Sequence, residues 1–306
     1  MAIAVPGRSA RGARWSASVA QARRGARFRK DRCYRRRSMG QMAAGRTAES
    51  VVGYTSPPVK LPGLLSDLMD FCYPGRCASC EAATDGPAVL CAACDEALRE
   101  LESAPACSWC GKPIAEVGAP CPYCLGEGMA HFARVVRLGV FTDPLKHLIH
   151  RMKYHKQWGL AETLADRLLG QERTKGLLTE TEVVVPVPLH RLRQITRGYN
   201  QAEVIAKRLA SSCKLKLARP VVRLRHTESQ ANLTSVEKRE ENLRDAFGLV
   251  NPRPVKGKHV VVVDDVMTTG ATLRAVARAL RPAKPASLSA LVLAIADPKG
   301  RDFQSV

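Results

Sequence analysis

The sequence contains few aromatic residues and no long apolar run. Phe, Trp and Tyr make up 5% of the 306 residues, so a single-stranded nucleic acid would find few side chains on which its bases could stack. Nowhere do about 18 apolar residues follow one another, which is the length that a membrane-spanning helix needs. No apolar segment follows the basic amino terminus, as it would in a secretory signal. We therefore expect a cytoplasmic protein without a membrane span.

Acidic residues are almost absent from residues 1–48. This stretch holds 12 arginines, one lysine and a single acid, Asp31, and so accounts for +12 of the formal net charge of +20. It has no apolar periodicity, and burial would not repay the entropy lost on ordering it. We predict that residues 1–62 form a basic, disordered extension. Three interpretations stay open: a nucleic-acid-binding arm, an organellar transit peptide, or a translation start that really lies at Met39 or Met42.

Cysteine, in contrast, is abundant and regularly spaced. Without a secretion signal, a disulfide framework is not expected in a reducing compartment. Two-residue spacing lets both thiolates of a Cys-x-x-Cys pair bind one Zn²⁺, and ten residues separate the pairs within each half, as in a zinc ribbon. The eight paired cysteines are Cys77 and Cys80, Cys91 and Cys94, Cys107 and Cys110, and Cys121 and Cys124.

We predict a small zinc-ribbon domain over residues 63–130 that holds one or two structural Zn²⁺ ions. The sequential grouping, with the first four cysteines on one metal and the last four on another, is favoured over an interleaved one, which stays open. Four thiolates around one zinc leave no position for a substrate, so the metal role is structural. Cys33, Cys72 and Cys213 are assigned no role.

From residue 131 to residue 306, predicted strands alternate with predicted helices. "EVVVPVPLH" and residues 258–263 read as short buried strands, and "GYNQAEVIAKRLA" has helical spacing. This alternation predicts an α/β domain whose mostly parallel sheet is covered by helices on both faces. Ligands of such sheets bind beyond the carboxyl ends of the strands.

One stretch, "VVVVDDVMTTGAT" at residues 260–272, places chemistry at that edge of the sheet. Asp264 and Asp265 follow a buried strand, and a hydroxyl-rich turn then begins a helix, where backbone N–H groups can hold a phosphate. Carboxylates beside a phosphate site suit sugar hydroxyls, so the stretch favours a ribose 5-phosphate. The alternative is the Mg²⁺-binding acidic pair of a phosphatase or receiver domain, but such a pair is not followed at once by a glycine-centred helix start. The predicted phosphate-binding residues are Thr268, Thr269, Gly270, Ala271 and Thr272.

The stretch resembles the 5-phosphoribosyl-1-pyrophosphate (PRPP) binding motif of type I phosphoribosyltransferases. "PVPLHRLRQITRGYNQAEVIA" and "HTESQANLTSVEKREENLRDAF", together with the cysteine pairs, resemble the ComF family, which is linked to competence and DNA uptake. The resemblance covers roughly residues 63–297 and implies a type I phosphoribosyltransferase fold preceded by the zinc ribbon. It also implies that the acidic pair binds the ribose hydroxyls and that Mg²⁺ accompanies PRPP.

The resemblance further implies where the diphosphate of PRPP would bind. Arg197 is the predicted catalytic cation of the diphosphate loop, and Arg191 and Arg193 are weaker candidates. The stretch from Arg225 to Asn242 corresponds to a loop that closes over the reaction in related enzymes. Within it, Gln230, Arg239 and Asn242 are candidates to face the ligand, although a polar helix surface would explain them almost as well.

Two functional classes remain open at this point. The first is an enzyme that transfers phosphoribosyl from PRPP to an unidentified nitrogen acceptor. Thr268 stands where purine-salvage relatives have a third acid, which weakens the case for a purine acceptor. The second is a non-catalytic module that binds single-stranded DNA and other competence proteins, and whose ribosyl-phosphate site is regulatory or holds a nucleic-acid phosphate. Trp109 and Tyr123 are its best stacking candidates, although packing around the zinc explains them more simply.

Overall fold

The computed structural model describes residues 75–84, 88–155, 157–225, 243 and 245–296. The predicted extension at residues 1–62, Cys33, Cys72 and the three candidates in the predicted mobile loop lie outside this range. Among the described residues, no helix is both long and apolar enough to cross a bilayer.

The cysteine-rich segment forms two short strands and one helix. Strands β1 (Gly75–Arg76) and β2 (Ala83–Thr84) pair antiparallel, and helix α1 (Ala92–Ser103) follows them. Helix α1 buries Leu98 and packs on the first strand of the main sheet. The ribbon therefore contributes to the same hydrophobic core as the domain that follows it.

The main sheet has five parallel strands: β3 (Val135–Val140), β4 (Val183–Pro186), β5 (Lys216–Leu217), β8 (His259–Met267) and β9 (Ser287–Ile295). Their order in the sheet is β3–β9–β8–β4–β5. A separate antiparallel pair consists of β6 (Val221–Arg223) and β7 (Phe247–Leu249). This confirms the prediction of a mostly parallel sheet.

Helices cover both faces of this sheet. They are α2 (Leu145–Tyr154), α3 (Gly159–Gly170), α4 (Glu172–Glu180), α5 (Arg191–Arg197), α6 (Gln201–Cys213) and α7 (Ala271–Leu280), the last followed by one 3₁₀ turn (Arg281–Ala283). Alternate residues of β8 lie on opposite faces of the sheet. Val261 and Val263 pack with α2, α3 and α6, whereas Val260 and Val262 pack with α7. Both faces of the strand are apolar because both are covered.

Strand β8 is longer than the sequence pattern predicted. The expected strand ended at Val263, but pairing with β9 continues through Asp264 to Met267. The acidic pair therefore lies within the carboxyl-terminal part of the strand, on backbone that the neighbouring strand holds. Similarly, the predicted diphosphate turn contains a short helix, α5, with Arg191 and Arg197 as its first and last residues.

Candidate functional site

A polar cavity of about 120 Å³ lies at the carboxyl ends of β4 and β8. It is lined by residues from α2, the β4–α5 turn, α5, the start of α6, β6 and β8. Five of the predicted site residues line it directly: Arg197, Asp264, Asp265, Thr268 and, at the start of α7, Thr272. Thr269, Gly270 and Ala271 complete the adjoining loop, where Gly270 and Ala271 are buried.

The two carboxylates are held in place by backbone amides. The N–H of Asp265 donates to Asp264 Oδ1 over 2.9 Å, and the N–H of Val266 donates to Asp265 Oδ1 over 2.6 Å. Burial, and after it the neighbouring Asp265 carboxylate, raises the pKa of Asp264 to about 7, although Lys153 and Arg223 act in the opposite direction. The pair thus offers closely spaced oxygen acceptors, of which one is readily protonated near neutral pH.

The loop after β8 has the geometry of an anion-binding helix start. Gly270 adopts a φ of +79°, and helix α7 begins at the next residue. Thr269 Oγ1 accepts from the N–H of Ala271 over 3.3 Å, while Arg274 Nη1 donates to the carbonyl oxygen of Thr269 over 2.9 Å. Hydrogen bonds within the loop therefore hold its shape. The amino-terminal end of α7, with its partial positive charge, faces the cavity edge at Thr272.

Four cationic side chains stand among the described residues that line the cavity: Lys153, Arg193, Arg197 and Arg223. Burial, and then the nearby Arg197, lowers the pKa of Arg193. Burial likewise lowers the pKa of Arg223 to about 10, with Arg193 adding to the effect. Four cations against two carboxylates give this lining a positive balance, which suits a ligand that carries several negative charges.

The turn that follows Arg197 is held by two hydrogen bonds of the Asn200 side chain. Asn200 caps α6 by accepting from the N–H of Ala202 over 3.1 Å, and its Nδ2 donates to the carbonyl oxygen of Val187 over 3.0 Å. The guanidinium carbon of Arg197 lies 5.3 Å from the ring centroid of Tyr154, within the range of a cation–π contact. Arg197 is therefore positioned between the α5–α6 turn and the end of α2.

Sequence reasoning missed Lys153, Arg223 and Asn200 as cavity residues. Lys153 did leave a signal, because it continues the buried face of α2 four residues after Ile149, where an apolar residue is expected. Arg223 gave no recognisable signal in the sequence, because its place in the cavity depends on an antiparallel strand pair that lies outside the main sheet. Arg193, a weaker candidate by sequence, lines the cavity together with Arg197.

The eight paired cysteines form two separate clusters. In each, four sulfurs lie within 4.8 Å of one another, and the grouping is sequential: Cys77, Cys80, Cys91 and Cys94, then Cys107, Cys110, Cys121 and Cys124. Four thiols grouped in this way are the donor set of a structural zinc site.

The distances within the clusters also fit zinc. The Cys110–Cys121 and Cys107–Cys124 sulfurs are 3.6 and 3.7 Å apart, close to the edge of about 3.8 Å expected for a tetrahedron with Zn–S bonds of about 2.3 Å. The N–H groups of Ser79 and Trp109 each point at a cysteine sulfur over 3.4 Å, as donors to thiolates do. The two clusters thus support structural zinc.

The second cluster is joined to the main sheet. The N–H of Val135 donates to the carbonyl oxygen of Trp109 over 3.0 Å, and a Cβ built on Gly111 would lie 2.8 Å from Ile295 Cδ1. Of the two stacking candidates, Trp109 is 37% exposed, and Lys112 Nζ lies 4.8 Å from the ring centroid of Tyr123. The Tyr123 ring therefore has a cationic neighbour within the protein, while part of Trp109 remains accessible.

Two family models match parts of the chain. A double zinc ribbon domain model matches residues 68–125, and a phosphoribosyl transferase domain model matches residues 194–305. Competence protein F of Haemophilus influenzae is 35% identical over 199 residues, covering 63% of this chain and 84% of that protein. DNA utilization protein YhgH of Escherichia coli K12 is 33% identical over 214 residues, covering 68% and 91%.

More distant similarities follow. Competence protein ComFC of Bacillus subtilis is 26% identical over 210 residues, covering 67% of this chain and 83% of that protein. A solved structure of glutamine PRPP amidotransferase from B. subtilis is 22% identical, covers 45% of this chain and 26% of that one, and superposes with a TM-score of 0.29.

Proposed function

The chain belongs to the competence protein F (ComF) family, and from that premise we propose that its cavity binds PRPP together with Mg²⁺ in the service of DNA uptake. What supports this most is one juxtaposition: an acidic pair, a glycine-centred helix start and four cations all face or border the same cavity. A ribose with two phosphate-bearing ends needs these three elements, acceptors for its hydroxyls and cations or amides for its phosphates.

Each group of cavity residues has its own role in the proposed binding of PRPP. Asp264 and Asp265 accept hydrogen bonds from the ribose 2- and 3-hydroxyls, and the Thr268–Thr272 loop donates backbone N–H groups to the 5-phosphate. Arg197, with Arg193 beside it, attracts the diphosphate. Mg²⁺ supplies neutralisation of the diphosphate charge when it is bound, and the acidic pair provides carboxylate oxygens that suit it. Reduced, zinc-bound thiolates accord with a cytoplasmic location.

Phosphoribosyl transfer is the enzymatic form of this proposal. A nitrogen nucleophile forms a bond to ribose C1 while the C1–O bond breaks and diphosphate leaves with the electron pair. The chain contributes mostly by positioning the ribose and stabilising charge on the leaving group. Thr268, 7% exposed, occupies the position at which purine-salvage relatives have an acid, which weakens the case for a purine acceptor and leaves the acceptor open.

Isothermal titration of PRPP and Mg²⁺ into the full chain tests the binding proposal. We expect saturable binding that the double variant Asp264→Asn, Asp265→Asn loses by at least about 100-fold, since it removes two charged hydrogen-bond acceptors. The matched control is Asp166→Asn, which removes an exposed carboxylate paired with Arg208 away from the cavity. Absence of binding by the unaltered protein would overturn the proposal. Release of diphosphate in the presence of candidate nitrogen acceptors then tests transfer.

A second candidate, binding of single-stranded DNA, is supported by a basic surface on α7 and the turn that follows it. Arg274, Arg278 and Arg281 follow one another at helical spacing, and no acid lies between them in the sequence. Burial, and then these three arginines, lowers the pKa of His131, which places that ring close to them. A row of arginines suits a phosphate backbone without regard to sequence.

Fluorescence anisotropy with an oligonucleotide over a salt series tests this candidate. Replacing Arg278 and Arg281 with Gln should lower the slope of log affinity against log salt by about 1.4, if each contacts one phosphate of a single strand. Arg99→Gln, Arg208→Gln is the control, because those exposed arginines are paired with acids. An unchanged slope would exclude this surface as the DNA contact.

A further inference from the structure

Lys153 is held inside the cavity by the helix that carries it. Helix α2 buries one face, made of Leu145, Leu148, Ile149 and Met152. Lys153 lies one turn after Ile149 and keeps its side chain only 12% exposed. Withdrawing an ammonium group from water is costly. A lysine on the buried side of a helix therefore needs partners that compensate it.

The position of Lys153 links the two halves of the proposed ligand site. Its Nζ lies 3.4 Å from Asp265 Oδ2, on the ribose side. The two residues that flank it in α2 lie beside the proposed diphosphate site. The Tyr154 ring packs against Arg197, and the hydroxyl of Tyr199 donates to the carbonyl oxygen of Met152. Lys153 thus stands between the acidic pair and the α5–α6 turn.

The covalent structure of PRPP indicates which part of the ligand Lys153 can reach. The carbon that carries the 2-hydroxyl is bonded directly to C1, so a cation beside the carboxylate that holds this hydroxyl is within reach of the C1 substituent. On the α5 side of Asp265, that substituent is the diphosphate. Because ammonium groups bind phosphate oxygens through charge-assisted hydrogen bonds, Lys153 is placed to take this role.

We propose that Lys153 binds the diphosphate on C1 and thereby makes the cavity prefer PRPP to ribose 5-phosphate. The inference rests on the proposed function and goes beyond it, because it names the residue that distinguishes the two ligands. On binding, the ammonium group exchanges part of its interaction with Asp265 for the diphosphate, and the carboxylate turns to the ribose hydroxyl. The same contact would stabilise the leaving group if transfer occurs.

A simple counter-ion role leads to a different expectation. If Lys153 only neutralised Asp265, its loss would disturb the hydroxyl-binding carboxylate, and both ligands would be affected alike. The ratio of the affinities for PRPP and ribose 5-phosphate therefore separates the two roles, whereas the loss of PRPP affinity alone does not.

The experiment is isothermal titration of PRPP and of ribose 5-phosphate, each with Mg²⁺, into full-chain protein. Four proteins are compared: unaltered, Lys153→Met, Lys153→Arg and the control Lys207→Met, which removes an exposed lysine on α6. We expect Lys153→Met to lower PRPP affinity by about 10- to 100-fold, to change ribose 5-phosphate affinity by less than about 3-fold, and Lys153→Arg to recover part of the loss. Thermal melting verifies that each variant is folded.

The outcomes distinguish this inference from the proposed function. Equal losses for both ligands in Lys153→Met would overturn the inference and leave Lys153 as a counter-ion, while PRPP binding itself stands. If unaltered protein binds neither ligand, both the inference and the proposed function fail. If Lys153→Met does not fold, Lys153→Arg decides, because a diphosphate contact depends on the shape of the cation. A lower preference for PRPP over ribose 5-phosphate in Lys153→Arg then supports the inference, and an unchanged preference overturns it.

Discussion

The sulfur of Met129 occupies the space that a side chain at residue 270 would need. A Cβ built on Gly270 would lie 2.8 Å from Met129 Sδ and 3.2 Å from Arg274 Nη1. Met129 follows the last zinc-binding pair and precedes β3, whereas Gly270 is the centre of the proposed phosphate loop. The linker after the zinc ribbon therefore packs on the proposed phosphate loop, so the two domains are in contact at the edge of the ligand site.

Gly270→Ala should destabilise the protein for two reasons, the φ of +79° and the contact with Met129. We expect a loss of about 1–3 kcal/mol in the free energy of unfolding, measured by urea titration, and loss of PRPP binding. Gly118→Ala is the control, since its φ is +91° but no heavy atom lies within 4 Å of its built Cβ. Equal destabilisation by both substitutions would show that the Met129 contact is unimportant.

The raised pKa of Asp264 predicts a pH-dependent stability. The carboxyl group titrates at 3.8 in the unfolded chain and at about 7 in the folded protein. Between these values the folded protein holds a proton that the unfolded chain has released, so stability falls as the pH rises through this window. Asp264→Asn removes this loss, with an upper limit of about 4 kcal/mol.

Thermal melting of ligand-free protein at a series of pH values measures the effect. The advantage of Asp264→Asn over unaltered protein should grow from about pH 4 to about pH 7 and level off above pH 7. Asp166→Asn, which alters an exposed carboxylate, should show no such trend. A constant difference between Asp264→Asn and unaltered protein across this range would contradict the prediction.

The sequential grouping of the cysteines predicts the zinc content of double variants. Replacing Cys80 and Cys91 with Ser damages one cluster and should leave about one zinc per chain, whereas replacing Cys80 and Cys110 damages both and should leave almost none. Elemental analysis of the purified proteins gives the answer. An interleaved arrangement that joined the first pair to the third would produce the opposite result for the two variants.

Asn200 should matter both for stability and for the ligand. Its side chain caps α6 and also bonds to Val187, so Asn200→Ala is expected to cost about 1–2 kcal/mol in unfolding free energy. PRPP affinity should fall as well, because the turn positions Arg197. Asn251→Ala is the matched control, an exposed asparagine that accepts from the N–H of Arg253. Unchanged PRPP affinity in folded Asn200→Ala would mean that the turn does not position the ligand site.

Much of the fold and part of the site could be predicted from local patterns. The apolar run before Asp264, the hydroxyl-rich turn after it and the four Cys-x-x-Cys pairs each lie within a few residues of sequence, where spacing and side-chain chemistry suffice. The length of β8 could not be predicted in this way, because it depends on pairing with β9 up to Ile295. The sulfur clusters illustrate the same limit, since two-residue spacing forms a pair but does not say which pairs share a metal.

The sequence by itself determined the parallel α/β domain, the cysteine pairs and the acidic, glycine-centred motif, because helical and strand periodicity, turn chemistry and metal-ligand spacing are local properties. Only the tertiary structure brought Lys153, Arg223 and Arg197 to the two carboxylates, from α2, β6 and α5. The physical reason is that burial and electrostatic contact depend on which elements the sheet order places side by side. A charged residue in an apolar stripe acquires its partners only when the fold is complete.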